Sequence, residues 1–535
     1  MGRVLTNATG LRATIEASTG VLPASPEWWI VEFENIGAYG AVITTVPRRP
    51  ISQDRGRKKG AVTDLDSSAE FETDLTLEFA RFAEGFVFAE YANVEFDLRS
   101  GGASPVPPPA IAATDDFTID AASALLAAKM QWVATMPQTL LWAQGYLQTA
   151  NNGIHVLSAD VLVTEVAVQV TSALVDETPP TNASLQVAGI RTDDVTVTVN
   201  ANGTGTLVSA ADITDWSTLG LFPGMELHIG GLTNARVLAN APTIAAVITW
   251  GPVRITSIVG GTLNFDKAKT TRDAAGDLII GSSVGTETVD FMFGRFARNV
   301  PVTNNAPDDR YLERTYQFEV SFPGLSTVTP GEAEFEYAIG NFANEVGINL
   351  PLTNKATLNL GFIGTNSDPV ALLAARKTNA AAAVSPLRTT AFNTSSDLVS
   401  ISTDLISAVS DVCFKSMTLT LLNSVSPEKC LGTLGAVFIN AGLFEANLEG
   451  QLLFTTREIV EAIRNNTTVT MAAVMRNDNG MIAFDMPEMT LGGGGREFPV
   501  DQSVLVSITG GSFTDTTFGH DIGITIFPAV PLTAT

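Results

Sequence analysis

Two distant segments of the chain carry the same alternating pattern of apolar and polar residues, and they align at an offset of 375 residues. One face of each segment is mainly apolar and consists of Ala69, Phe71, Thr73, Leu75, Leu77, Phe79 and of Phe444, Ala446, Leu448, Gly450, Leu452, Phe454. The opposite faces are mainly polar. Alternation with a period of two predicts a half-buried strand, and a helical pattern follows each segment, at 80–86 and 455–464. The repeat therefore predicts a duplicated β-domain.

A second pair of segments places an insertion in the first copy. Residues 358–364 align with residues 504–510 at an offset of only 146, so the first copy is longer by the difference between the two offsets, 229 residues. The proline-rich stretch 101–109 favours a boundary close to the start of this insertion. The predicted boundaries are 1–105 for the first part of the first copy, 106–310 for an inserted β-rich region, 311–375 for the rest of the first copy, and 376–535 for the second copy.

The fold class predicted from these patterns is mainly β, with two antiparallel β-sandwich or half-barrel domains, a short helix in each, and the inserted region. Period-two alternation predicts strands at 28–33, 196–199, 254–259, 315–322, 356–362, 417–422 and 503–508. Helical patterns are few and lie at 77–86, 121–131, 370–376 and 455–464. Thr455 or Thr456 is expected to cap the last of these helices.

Composition narrows the function classes. Lys+Arg 31 against Asp+Glu 56 gives a formal charge of −25, which argues against a protein that binds DNA through its basic residues. Only 16% of residues are charged while 45% are hydrophobic, and such a low charged fraction suggests that partner subunits cover part of the surface. Neither a signal peptide nor a membrane-spanning stretch is expected, and two cysteines cannot form a disulfide framework.

No group of residues has the spacing of a catalytic, cofactor or metal site. His155, His228 and His520 are far apart and in dissimilar contexts. The adjacent acids 115–116, 193–194 and 308–309 are expected to point to opposite faces of strands or to cap turns. Four consecutive glycines, 492–495, lack the Lys-Ser/Thr of a phosphate-binding loop and predict a mobile loop. The sequence therefore predicts a protein that is not an enzyme and has no cofactor.

Two charged features remain as candidate functional sites. A dense basic cluster lies in a predicted loop between two strands and consists of Arg48, Arg49, Arg55, Arg57, Lys58 and Lys59. It is open to three interpretations: a solvated loop, a nucleic-acid contact, or docking onto the acidic surface of another copy. The acidic faces of the repeated strands contain Glu70, Glu72, Asp74, Glu78, Glu445 and Glu449. They are either ordinary solvent-facing residues or a surface where negative potential is useful.

The chain resembles the tail tube proteins of long-tailed bacteriophages. The resemblance rests on the order of several segments and on the duplicated half-barrel: 57–62 leading into 69–79, 151–153, 219–224, 314–319, 448–452 and 501–506. The resemblance implies a small β-sandwich with one helix, whose inner strands join those of neighbours to close a barrel around a lumen. The family usually has one tube domain per chain, whereas the repeat predicts two in this chain.

The resemblance also implies the partners and the location. The expected partners are other copies of the chain in rings and stacks, with trimeric rings of pseudo-sixfold symmetry, together with the tape measure protein and the tail terminator and tip proteins. Double-stranded DNA is expected to pass without specific binding, and no membrane is involved. The expected location is the virion tail, assembled in the host cytoplasm. The six acids are expected to face the lumen, and the basic cluster to reach the next ring. The alternatives are another acidic self-assembling surface protein, such as an S-layer or capsid decoration subunit, and a β-rich hydrolase.

Overall fold

The computed structural model of the chain describes most of the two predicted copies and parts of the inserted region. The described residues are 9–48, 51, 57–91, 97–98, 110–111, 117–118, 138–157, 167–168, 170, 173–180, 182–200, 202–230, 251–268, 286–302, 310–324, 333–371, 376–403, 413–454, 457–498, 500–501 and 503–527. The predicted linker 101–109, the predicted helix 121–131 and the acid pairs 115–116 and 308–309 lie outside them.

Strands make up most of the described structure, as the alternation predicts. The first half contains β1 (Gly10–Ile15), β2 (Trp29–Val31), β3 (Asn35–Arg48), β4 (Lys58–Asp74), β5 (Asp97–Leu98), β6 (Ala110–Ile111), β7 (Phe117–Thr118), β8 (Gln138–Gln144), β9 (Gly153–Val156), β10 (Ala167–Val168), β11 (Ser184–Val199), β12 (Gly205–Ser209), β13 (Glu226–Gly230), β14 (Gly251–Val259) and β15 (Thr262–Asp266). The second half contains β16 (Glu287–Phe293), β17 (Arg295–Arg298), β18 (Thr315–Phe322), β19 (Glu334–Pro351), β20 (Thr357–Gly364), β21 (Asn366–Ala371), β22 (Leu398–Thr403), β23 (Phe414–Leu422), β24 (Ser426–Glu428), β25 (Phe438–Asn440), β26 (Glu445–Leu453), β27 (Thr468–Asn477), β28 (Gly480–Glu497), β29 (Leu505–Ser512) and β30 (Gly523–Phe527). The prediction of a mainly β chain is confirmed.

Helices are short in the described residues. The α-helices are α1 (Ala83–Val87) and α2 (Glu458–Arg464), and 3-10 helices lie at Leu77–Arg81, Thr149–Asn151, Trp216–Leu219 and Ala380–Ala382. The helix predicted at 370–376 is wrong at its start, because Val370 and Ala371 belong to β21. Arg457 is the N-cap of α2 and makes no side-chain capping hydrogen bond, while Thr455 and Thr456 lie outside the described residues. Within the described part, no helix has the length and apolar character needed to cross a membrane.

One stretch of eight antiparallel strands runs through both predicted copies. The pairing order is β3, β4, β20, β19, β23, β26, β29, β28. The strands β19 and β28 each span 18 residues. Only the C-terminal half of each pairs with its neighbours in this stretch. Their N-terminal halves pair instead with β18 and β27. Each long strand therefore links the eight-strand stretch to a second group of strands.

The hydrophobic core lies on one side of this stretch. The ring centroids of Phe71 of β4 and Phe318 of β18 are 5.0 Å apart, and those of Phe318 and Phe362 of β20 are 4.9 Å apart. Because β18 pairs with neither β4 nor β20, these contacts join two packed layers. Phe82 and Phe86, which flank or belong to the first helix, also lie within 6.0 Å of Phe362. The same core continues under β26 and β29 through residues such as Leu448 and Ile508.

The inserted region has a sheet and a core of its own. Nine strands pair in the order β12, β15, β14, β13, β16, β11, β8, β9, with β5 also paired to β11, around buried residues such as Trp216 and Phe291. Its ends differ slightly from the predicted 106–310, because β5 precedes residue 106 and β17 pairs with β30 of the main sheet. Within the described residues, this region also contains a separate three-stranded sheet of β6, β7 and β10.

A buried ion network joins the inserted region to the main sheet. Asp485 of β28, which is 1% exposed, accepts hydrogen bonds from Arg254 at 3.1 Å and from Lys267. Arg254 also donates to Asp266, at 2.6 and 3.0 Å. Glu226 is buried beside this network, and its burial, followed by the charge of Asp485, raises the pKa of Glu226 to about 7. The network therefore fixes the inserted region against β28 of the main sheet.

The four glycines at 492–495 do not form a loop, which corrects the prediction. They lie inside β28 and pair with β29, with a β-bulge between Gly493 and Gly495. Gly493 and Gly494 have φ of 84° and 82°, a left-handed conformation that glycine adopts without strain. The run of glycines therefore serves a bulged strand rather than a mobile segment.

Candidate functional site on the polar sheet face

The side of the eight-strand stretch that faces away from the core is polar. In an antiparallel sheet, paired residues share a face, so one row across the sheet reads Glu72, Asn359, Gly347, Thr420, Asn447, Gly511 and Thr490. The next row in one direction is Asp74, Thr357, Asn349, Thr418, Glu449, Thr509 and Gly492. We call the outward residues of these eight strands the polar face.

Five of the six acids predicted to share a surface do lie on the polar face. Glu70, Glu72 and Asp74 follow one another at every second position of β4, and their neighbours Ala69 and Phe71 are buried. Glu445 and Glu449 occupy the corresponding side of β26, where Ala446 and Leu448 are buried. The alternation read from the sequence therefore assigns each of these acids to the correct side of its strand.

Glu78 is the exception, and the prediction that it lies with the other five acids is wrong. Strand β4 ends at Asp74, and Glu78 lies in the 3-10 helix Leu77–Arg81. Its carboxylate pairs with Arg81 at 2.8 Å and accepts hydrogen bonds from the backbone N–H groups of Leu387 and Arg388. Burial disfavours the charged form, but the charge of Arg81 and these hydrogen bonds outweigh burial and lower the pKa of Glu78. Glu78 is therefore a structural residue of the helical turn.

Four further carboxylates lie on the polar face and were not predicted. They are Asp64 and Asp66 of β4, Glu345 of β19 and Glu497 of β28. The first two extend the same every-second-residue series toward the N-terminus, so the parity of β4 could have revealed them. Glu345 follows the bulge residue Asn344, which interrupts the alternation that identifies a strand. Glu497 accepts hydrogen bonds from Gln451 and Ser507 across two neighbouring strands.

Basic side chains occur only toward the ends of the described polar face. Lys355 pairs with Asp74 at 2.8 Å and also with Glu34, and Lys415 sits at a bulge in β23. At the opposite end, Lys429 donates at 2.6 Å to both Asp64 and Asp66. The centre of the face is left with Glu70, Glu72, Glu345 and Glu445. The first three of these line a shallow concavity of about 450 Å³ that also includes Gly361. The centre of the described polar face is therefore rich in carboxylates and contains no Lys or Arg.

The predicted basic cluster lies at the tip of a long hairpin. Strands β3 and β4 pair from Asn35 opposite Glu72 to Arg48 opposite Lys58. Residues 42–48 are exposed on both faces of the hairpin, so this part, which we call the arm, projects from the folded body. Arg48, Arg57, Lys58 and Lys59 are exposed there, whereas Arg49 and Arg55 lie outside the described residues. The arm also exposes apolar side chains, Val42, Ile43, Val46 and Val62.

The structure places the remaining candidates in structural roles. All three histidines are buried, and burial lowers the pKa of His228 to about 3 and that of His520 to about 4. Asp194 accepts hydrogen bonds from the backbone N–H groups of Ala211 and Asp212, as expected for a turn. Among the described residues, no group of His, Cys, Asp and Glu is arranged to hold a metal ion.

Fold and site together describe a structural β-protein, with one apolar sheet face against a core and one acidic face left open. A family model described as phage tail tube protein matches residues 203–510, which is more than half of the chain. The chain therefore belongs to the phage tail tube protein family. It is a structural component of a phage tail that assembles with copies of itself into a tube. No curated protein matches the chain.

Proposed function

We propose that the subunits assemble into rings in which the polar face lines a channel, and that the rings stack into the tail tube. The observation that carries the proposal is the continuous eight-strand stretch with an acidic outward face. A wall built this way buries its apolar side in each subunit and presents carboxylates to the channel. In this proposal the channel houses the tape measure protein and then conducts DNA, and the ends of the stack contact the terminator and tip proteins. The protein acts without catalysis.

We further propose that each chain supplies two tube domains. The strand pairs β3–β4, β4–β20 and β20–β19 of the first copy have counterparts in β23–β26, β26–β29 and β29–β28 of the second. Even the irregularities correspond: β19 has a bulge between Ala343 and Glu345, and β28 has one between Gly493 and Gly495. The helices also correspond, because α1 follows β4 and α2 follows β26. Matching bulges support duplication because a bulge is a specific structural feature that families retain.

The duplication predicts rings of three chains with pseudo-sixfold symmetry. Three chains would place 24 strands around the channel, and a strand spacing of about 4.8 Å with a tilt of about 40° gives a barrel about 50 Å across between backbones. Six chains would give about twice that width. Electron microscopy of the purified protein, with symmetry averaging of the tubes, measures both quantities. Sixfold rings of six chains would contradict the duplication in the wall, and the absence of tubes would contradict the proposed function.

The basic tip of the arm is proposed to contact the next ring in the stack. Head-to-tail contacts between different patches of one subunit produce open-ended assemblies, and the basic arm and the acidic body provide two such patches. Reversing the charge of Arg55, Arg57, Lys58 and Lys59 together is expected to leave the chain folded but to prevent stacking. Assembly of the wild-type protein is expected to weaken with salt, because exposed charges are screened beyond about 8–10 Å.

The arm prediction is checked by sedimentation and electron microscopy of both variants. Glutamine at the same four positions is the matched control, because it removes attraction without adding repulsion, and it is expected to weaken stacking less than glutamate does. Circular dichroism shows whether each variant is folded. Normal tube formation by the charge-reversed variant would make the arm tip an ordinary solvated loop.

A further inference from the structure

Two strand edges of the eight-strand stretch are unpaired within the described part of the chain. Strand β3 pairs only with β4, and β28 from Leu491 onward pairs only with β29. An open edge exposes backbone N–H and C=O groups that can pair with another strand. The two edges lie at opposite ends of the stretch, so one chain can offer its β28 edge to the β3 edge of the next.

The chain already contains one junction of this kind, between its two copies. Strand β19 pairs with β23 over seven residue pairs, from Glu345 opposite Leu422 to Pro351 opposite Ser416. At this junction, Ile348 of β19 and Leu421 of β23 are each 1% exposed. The internal junction therefore shows how the end of one copy covers the start of another.

Residues of β28 correspond to those of β19 at an offset of 150. Val346 pairs with Leu360, and Arg496 pairs with Val506. Leu360 and Val506 are equivalent at the offset of 146 found in the sequence, so their partners Val346 and Arg496 are equivalent too. Glu345 and Gly495 both follow the bulge of their strand. The correspondence therefore holds through the irregular part of the two strands.

Residues of β3 correspond to those of β23 at an offset of 378. The first bulge of β3 lies between Ile36 and Tyr39, and that of β23 lies between Phe414 and Ser416. Beyond the bulge, Ile43 pairs with Leu65 and Leu421 pairs with Ala446. The open edge of β3 therefore has the same geometry as the edge of β23 that pairs with β19.

We infer that β28 of one chain pairs with β3 of the neighbouring chain in the register of the internal junction. Applying the two offsets places Gly495 opposite Thr44, Arg496 opposite Ile43, Glu497 opposite Val42, and Phe498 opposite Ala41 of the neighbour. This inference rests on the proposed ring. It makes the ring alternate between a junction formed within a chain and a seam formed between chains, both with the same strand register.

The exposure of apolar side chains at the two edges supports this register. Phe498 and Val500 are 73% and 84% exposed, whereas their equivalents Ile348 and Leu350 are 1% and 8% exposed at the internal junction. Ile43 is 55% exposed, and its equivalent Leu421 is 1% exposed. The seam therefore covers apolar groups that the single chain leaves in water.

Cysteine pairs test the register in a chain whose own exposed cysteines, Cys413 and Cys430, are replaced by serine. The in-register pairs are Thr44→Cys with Gly495→Cys and Val42→Cys with Glu497→Cys. The same four positions recombined, 42 with 495 and 44 with 497, are the off-register controls. A Cβ at Gly495 meets no atom within 4 Å, so cysteine fits there.

Oxidised tubes of the in-register variants are expected to give about tenfold more cross-linked chains than the controls, because a shift of two residues moves the Cβ atoms about 7 Å apart, beyond disulfide reach. Tubes that cross-link more strongly in the off-register variants would overturn the register while leaving the proposed function intact. If no variant assembles, amide hydrogen exchange of the unsubstituted protein provides the test. Residues 41–44 and 495–498 must become protected on assembly, and fast exchange there in tubes would overturn the seam. Failure of the unsubstituted protein to form rings would remove both proposals.

Discussion

Replacing Asp485 with asparagine is expected to lower the free energy of unfolding by about 3–5 kcal/mol, the usual cost of removing one partner from a buried ion pair. Asp485 is the carboxylate that Arg254 and Lys267 share. Without its charge, Lys267 keeps no carboxylate partner among the described residues, while Arg254 keeps Asp266. Denaturant unfolding of the unassembled protein measures the loss. A change below about 1 kcal/mol would contradict the prediction that this network is buried and tightly paired.

Glu226→Gln is the matched control, because it removes a carboxylate of the same network that lacks a strong cationic partner. Burial raises the pKa of Glu226 from 4.5 to about 7, so the folded protein holds a proton that the unfolded chain releases. Stability from this group is present below pH 4.5 and is lost as the pH rises to about 7. Glu226→Gln is therefore expected to be more stable than wild type at pH 8 and equally stable at pH 4.

Lysine at Glu70, Glu72, Glu445 and Glu449 is expected to convert a channel that DNA does not bind into one to which it adheres. Each substitution changes the charge by two, and each new ammonium group can displace counterions from phosphates. Glu70 and Glu449 are exposed and none of the four has a cationic partner in the described structure, so the subunit is expected to fold. DNA ejection from virions carrying the variant is expected to slow or stop.

DNA retention by purified tubes measures this effect directly. Binding of linear duplex DNA should appear in the lysine variant and fall by a factor of about 10³ or more between 50 and 200 mM salt. The control carries lysine at Asp176, Asp193, Glu461 and Asp478, which are exposed and lie off the polar face. Equal DNA binding by the two variants, or normal ejection by the first, would show that the polar face does not line the channel.

The sequence predicted which side of each strand is polar but not the pairing register. The sequence pattern aligned Phe79 with Phe454, an offset of 375 residues. In the structure, Phe71 pairs with Leu360 and Leu452 pairs with Val506. Because Leu360 and Val506 are equivalent positions, Phe71 and Leu452 are equivalent as well, and the offset is 381. The two offsets differ by six, an even number, so every residue keeps its face. A period-two pattern fits every even shift equally well, and only long-range pairing selects among them.

Local geometry explains the residues that the sequence placed incorrectly. Glu78 continues the alternation of β4, but the chain turns into a 3-10 helix at Leu77, capped by Thr76. The side chain of a residue in a tight turn no longer follows strand parity. Gly494 and Asn344 are bulge residues, and a bulge adds one residue that alternation counts as a phase error. In the inserted region, Arg254 and Lys267 pair with Asp485 of the main sheet, so these two basic residues serve packing rather than a site that a sequence motif could reveal.

A single lysine from another part of the chain supports the base of the arm within the described residues. Lys429, in the connection between β23 and β26, pairs with Asp64 and Asp66 near the base of the arm. Force applied at the basic tip is thereby transmitted to the β23–β26 connection as well as to β4. Both lysine contacts are solvent-exposed, so the brace loosens as ionic strength rises. The stiffness of the tube against bending should therefore soften in salt even where the rings themselves stay closed.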